Sequence, residues 1–320
     1  MTNRSTQRTP RTQNTAFSAI SAIAALIVML GPRAFSQGAP RFDSARAWEH
    51  LRQLVAIGPR PAGSPAIEQS RAYIKAQLAA AGVAVREQAW DDTTPNGPTH
   101  MVNLIATVPG ARRDRIVISG HYDTKPFREF RFVGASDGGS SAAFLVEIAR
   151  VLKGRTNPFT MEILFLDGEE AVCRNWDDCG RPGAPDNTYG SRHYVNAARQ
   201  SNTLASLKAN ILVDMIGDRD LRIERDSLST AWLTDIVWDA ARKQKLDGVF
   251  VPIASPVEDD HVAFLQAGVP SVDIIDLNRY AELGRWHTPQ DTLDNVSARS
   301  LQTVGDVVLA ALPQIEARLK

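Results

Sequence analysis

The sequence predicts an α/β domain built on one mixed, mainly parallel β-sheet flanked by helices. Three observations carry this. "DRIVISGHYD", "FTMEILFLDGEE" and "ANILVDMIGD" are near-continuous apolar runs rather than alternating ones, as expected of strands covered on both faces. These runs alternate with helix-length segments, the pattern of a largely parallel sheet. The chain has 320 residues, 43% hydrophobic and 22% charged, enough for a sizeable core and unlike a disordered composition.

The elements follow in order. "DSARAWEHLRQLVAI" (Asp43–Ile57) reads as a helix with Asp43 or Ser44 as its cap. "GPRPAGSP" is a turn cluster, and "AIEQSRAYIKAQLAAAGV" an amphipathic helix ending near Gly82. "AVREQAW" and "HMVNLIATVP" read as two strands that pair, followed by the apolar strand ending in "GHYD". "GGSSAAFLVEIARVLKG" is a helix with a small-residue start, and the strand ending in "DGEE" follows it. "YGSRHYVNAARQ" is helical, "ANILVDMIGD" a strand and "STAWLTDIVWDAARKQKL" a helix. "GVPSVDIIDL" is a late strand, and a helix over "ARSLQTVGDVVLAALPQIEARLK" closes the chain.

The N-terminus differs from the rest. A polar stretch carrying Arg4, Arg8 and Arg11 precedes the apolar run Ala16–Leu30, then "GPRAFSQGAPRF". That is the order of a secretory signal, cut between Ser36 and Gln37. An uncleaved anchor is the rival, although the run is short of the roughly 20 residues a spanning helix needs. The expected layout is a signal at 1–36, a linker at 37–42 and one folded domain at 43–320, in a secreted or periplasmic protein. After cleavage no stable membrane insertion is expected. Lys+Arg and Asp+Glu both number 36, which offers no basic surface for nucleic acid. Cys173 and Cys179 are the two cysteines. In an exported chain that spacing suggests a disulfide, since no second cysteine pair could complete a thiolate zinc site.

Ligands of open α/β sheets bind outside the carboxyl ends of the strands. Six segments bring acids or imidazoles to that rim: His121–Asp123, Asp167–Glu170, Asp214–Asp218, the Asp137 segment "ASDGGSS", Glu258–His261, and "RWHTPQD" (Arg285–Asp291). Singly, each has a bland reading, because an Asp before a helix is commonly a cap and a lone His a surface or satisfied core residue. Together they ask for a cation, since repelling carboxylates would otherwise protonate. His, Asp and Glu without Cys suit a catalytic zinc. There is no HExxH motif.

"SGHYDT", "GASDGGSSAA", "FLDGEE", "YGSRHY", "LVDMIG" and "WHTPQDT", in that order, resemble the zinc exopeptidases of the M28 clan over roughly Asp43 to the C-terminus. The clan holds two-zinc aminopeptidases and single-zinc glutaminyl cyclases. "HYDTK", the Trp-containing insert after "DGEEA", "EDDHVAFLQAGVP" and "RWHT" stand closer to the cyclases, whereas "PQDT" is commoner in aminopeptidases. The resemblance implies one zinc held by Asp137, Glu170 and His287. It implies Glu169 as general acid/base, with Asp214 and Asp259 in a hydrogen-bonded carboxylate network. Trp286, Trp176, Val257 and Glu258 would line the substrate pocket. His121, Asp123 and His261 would stand behind the ligands; in a two-zinc aminopeptidase Asp137 would bridge, and His121 and Asp214 would bind the second metal.

The implied substrate is a peptide or protein with a free N-terminus, and the expected state a monomer. A non-catalytic binding domain of the clan would have lost ligands, but all are present here. Two departures touch the pocket. No apolar residue stands in clear register before Trp286, and the loop "CRNWDDCGRPGAPDN" is longer than expected.

Overall fold

In a computed structural model the described residues are 40–320, so the signal or anchor reading, its cleavage site and most of the linker lie outside them. The chain runs through α1 (Ser44–Ile57), α2 (Pro65–Ala80), β1 (Ala84–Thr94), β2 (Gly97–Val108) and β3 (Arg112–His121). It continues with α3 (Gly139–Lys153), β4 (Phe159–Leu166), a small hairpin of β5 (Gly180–Arg181) and β6 (Ala184–Pro185), and α4 (Tyr189–Gln200). Then come β7 (Leu207–Asp214), β8 (Ile223–Asp226), α5 (Ala231–Lys243), β9 (Phe250–Ser255) and α6 (His261–Gln266). The last elements are β10 (Ser271–Ile275), α7 (Leu277–Glu282) and α8 (Ala298–Arg318).

The main sheet has the order β1-β2-β4-β3-β7-β10. β1, β2 and β4 pair antiparallel, and β4, β3, β7 and β10 pair parallel. Alternate residues of the apolar runs face opposite layers, as the two-residue strand period requires. Ile116, Ile118, Ile163 and Phe165 join the core beneath α1, α2, α3, α5 and α8. Val117, Leu164 and Leu166 join a second core beneath α4 and α6. Burial on both faces is why these strands read as continuous apolar runs. Asp43 caps α1, accepting from the Ala45 and Arg46 amides, and Ser64 caps α2. Among the described residues no helix is long and apolar enough to cross a membrane.

Six elements lie where the sequence showed only loops: the hairpin strands β5 and β6, the strands β8 and β9, and the short helices α6 and α7. β8 and β9 form a separate parallel ribbon. β9 contains Pro252 and exposes its middle, Pro252 to Ala254, which weakens a strand signal. α6 is six residues long, too short to show a helical period.

Candidate metal centre

Five loops at the carboxyl end of the parallel strands build the site, and backbone geometry sets their reach. Asp137 precedes α3. Next to it Gly138 has φ +76°, and a Cβ there would meet the Asp123 carbonyl at 2.4 Å and the His121 ring at 3.0 Å. Only glycine lets the Asp137 loop settle on His121. Gly168 has φ +68° and turns the chain out of β4 into Glu169 and Glu170. His287 takes φ +53° and Met215, after Asp214, φ +46°. Such left-handed backbone in bulky residues gathers at functional sites.

One ligand atom each from Asp137, Glu170 and His287 lies within 4.8 Å of the other two. His287 Nε2 stands 3.4 Å from Asp137 Oδ2 and 3.3 Å from Glu170 Oε2. Glu170 Oε1 is buried without a hydrogen-bond partner. Two hard carboxylates, one imidazole and an orphaned oxygen are a donor set that fits zinc with an open position. A second group, His121, Asp137 and Asp214, meets the same spacing and shares Asp137. His121 Nε2 is 3.0 Å from Asp214 Oδ1 and 3.2 Å from Asp137 Oδ1. The cysteines do not compete for metal, because Cys173 and Cys179 are joined in a disulfide with Cα atoms 6.0 Å apart.

Asp123 aims the glutamates. Its two oxygens accept from the Glu169 amide at 3.2 Å and the Glu170 amide at 3.3 Å. Successive amides on one carboxylate leave the two side chains free to diverge, Glu170 to the ligand group and Glu169 toward His121, whose Nδ1 lies 3.7 Å from Glu169 Oε2. Asp214 does not share a direct hydrogen bond with Glu169. Its Oδ1 instead accepts from Ser141 and the Met215 amide, beside His121. Asp259 is buried with Oδ2 unpartnered, and its charge acts on Glu169 through space.

The electrostatics separate the acids. Burial pushes Glu169 well above the usual carboxylate range; His121 opposes this, while Asp259 and Glu170 add to it. Burial also opposes ionisation of Asp137, yet hydrogen bonds from His121 and His287 outweigh it and hold Asp137 low. Burial alone would lower His287, but Glu170 and Asp137 bring it up to about 9 without metal.

The expected pocket residues fall in different places. Trp286 is 38% exposed and stacks on His287 at 4.4 Å. Phe127 and Phe132 present ring edges to the same imidazole at 5.5 and 5.9 Å, supplying apolar surface from a segment the sequence had not singled out. Trp176, Glu258 and Asp259 line a cleft of about 470 Å³ walled by the disulfide loop. Val257 is instead buried against Met215, Ile275 and Tyr280, because its amide is anchored to Asp226. His261 does not stand behind a ligand. It is fully buried, 3.0 Å from Asp226 Oδ2, since the start of α6 points it inward beneath β8. Sequence reasoning also passed over Lys125, which donates to the Ala171 and Cys173 carbonyls and stands 3.9 Å from Glu170. Its place two residues after Asp123 was the available signal.

Residues 103–312 match peptidase family M28. The chain belongs to this family. A glutaminyl-peptide cyclotransferase-like protein of Mus musculus is 30% identical over 86% of this chain and 76% of its own. The solved glutaminyl cyclase of an Acidobacteriales bacterium is 37% identical, covering 90% of this chain and 100% of its own, with a TM-score of 0.80. That of Fimbriiglobus ruber is 27% identical, covering 87% and 97%, with a TM-score of 0.75. The M28 member described here is thus similar to glutaminyl cyclases along nearly the whole described chain.

Proposed function

We propose that the protein converts N-terminal glutamine of peptides and proteins to pyroglutamate with release of ammonia, using one zinc held by Asp137, Glu170 and His287. The observation that carries this reading is a three-ligand cation site next to a buried carboxylate, Glu169, whose affinity for a proton burial raises well above the usual carboxylate range. The similarity to proteins named glutaminyl cyclase supports it.

The bound zinc would supply Lewis-acid polarisation of the substrate γ-carbonyl. The chain does the rest. The substrate α-amine, with a reference pKa of about 8, reaches its neutral form easily and attacks the γ-carbon. Glu169 takes the proton that nitrogen sheds and returns it to the departing amide nitrogen, so one C–N bond forms, one breaks and ammonia leaves. Asp259 and burial keep Glu169 basic enough for the first transfer and acidic enough for the second. Trp286, packed on His287, gives the glutamine side chain an apolar wall and helps hold it in an attack-ready shape. The cleft at Trp176 and Glu258 receives the rest of the peptide.

One observation favours a second reading. His121, Asp137 and Asp214 could hold a second zinc, and the protein would then be an aminopeptidase in which Glu169 relays a proton from water. Incubating the purified protein with glutaminyl-naphthylamide separates the two. Ammonia without naphthylamine is the expected result; naphthylamine without ammonia, with two zincs per chain by atomic absorption, overturns it. We further place the protein outside the cytoplasm as a monomer, a location in keeping with its disulfide.

A further inference from the structure

The segment Val133–Asp137, which delivers the ligand Asp137, is gripped from both ends by opposite charges. Arg60, fully buried in the turn after α1, takes its carbonyls. Its Nη1 donates to the Val133 carbonyl at 2.6 Å, its Nη2 to Gly134 at 3.0 Å, and its Nε to the Tyr122 carbonyl, beside His121, at 2.8 Å. At the other end the amides meet a carboxyl group. Ser136 N donates to Asp291 Oδ1 at 2.7 Å, and Asp137 N to Asp291 Oδ2 at 3.1 Å. Tyr280, also fully buried, donates its hydroxyl to Asp291 Oδ1 at 2.7 Å. Asp291 stands four residues after His287 in "HTPQD", and its own amide turns back to the Thr288 carbonyl at 3.2 Å. One carboxylate therefore ties the loop of one ligand to the loop of another, 154 residues apart in sequence.

We propose that Asp291, supported by Tyr280 and opposed by Arg60, is the positioning residue that holds Asp137 and His287 at the separation a metal requires. The proposal rests on the reading that Asp137, Glu170 and His287 hold that metal. Bidentate acceptance from adjacent amides fixes a loop in both translation and rotation, and charge-assisted bonds of this kind are the strong ones. His287 carries a left-handed backbone, so the turn bearing it needs an external anchor. Asp291 provides one without touching the metal.

The test is the zinc dissociation constant of the full chain, measured by competition with a chromogenic chelator, beside the melting temperature of the zinc-free protein. Asp291→Asn keeps the size but only one good acceptor, and zinc binding weakens roughly 10–100-fold. Tyr280→Phe removes one of the three bonds and weakens it by a smaller factor. Native zinc affinity in Asp291→Asn, with only the melting temperature lowered, overturns the proposal. Should that variant fail to fold, native affinity in Tyr280→Phe overturns it equally. The ligand reading fails separately, if Asp137→Ala in the native background leaves zinc binding intact.

Discussion

Two groups of buried carboxylates meet at the same end of the sheet and differ in how far neighbouring imidazoles offset their burial. Asp137 and Glu170 stand against His287, with His121 on the far side of Asp137, and Asp137 is held low because two imidazoles bond to it. Asp259, Asp260 and Asp273 lie behind, on the α6 and β10 side. Burial first, then neighbouring carboxylates, drives Asp259 and Asp273 well above the usual range, and burial, with Asp123 and Asp214 adding to it against Ser191 and His121, brings Asp260 up to about 7. Both oxygens of Asp260 and Asp273 lack hydrogen-bond partners. The residue type is the same; the supply of neighbouring cationic groups differs. Asp137, bonded by two imidazoles, is held low, whereas Glu170, with one, is still raised by burial and by Asp137, and acids that face other carboxylates are raised as well. Glu169 stands on the border, pulled down by His121 and pushed up by burial and Asp259. That border position suits a residue asked to accept and return one proton.

The comparison breaks most sharply at Glu169. Glu169→Gln is expected to lower kcat by about 10²–10⁴-fold, the usual range for losing a general acid/base, with zinc content by atomic absorption unchanged. Loss of zinc instead would move Glu169 into the metal-binding group.

A second, smaller effect sharpens the proton-holding side. The folded-state pKa of Asp260, about 7, exceeds the ordinary carboxyl value. The folded protein therefore binds more protons than the unfolded one between about pH 4 and 7. Its contribution to stability is full below about pH 4 and is lost as pH rises through 7. The melting temperature of zinc-free protein should fall over that window, and Asp260→Asn should flatten the decline by a few degrees. An identical slope in the variant would remove Asp260 from the group.

The least effect on chemistry is expected outside both groups. Replacing Cys173 and Cys179 by Ser opens the short loop that walls the cleft. Stability should drop by about 2 kcal/mol and KM rise a few-fold, with kcat within about twofold. A large kcat loss would mean that the loop also positions Glu170, three residues before Cys173.

Most of the sheet was legible because strands buried on both faces leave unbroken apolar runs, and the run ends named the rim. Asp123, Asp137, Glu170 and His287 stood out as acids or imidazoles at those ends. The ribbon of β8 and β9 was not legible, since an exposed edge with Pro252 has no such signature. Arg60 was hidden for a different reason. It lies in a turn cluster where arginine is unremarkable, and its carbonyl partners leave no mark in sequence.

The sequence by itself determined the layered α/β fold, the family and the kinds of group that gather at one edge, because periodicity and strand-end chemistry are local properties. Only the tertiary structure decided which acid meets which partner. It set His121 between Asp137 and Asp214, turned His261 away from Asp259 toward Asp226, and joined Asp291 to the Asp137 loop. Those assignments depend on distances between segments far apart in the chain. A carboxylate becomes ligand, base or brace according to the charges and amides that folding brings within a few ångströms.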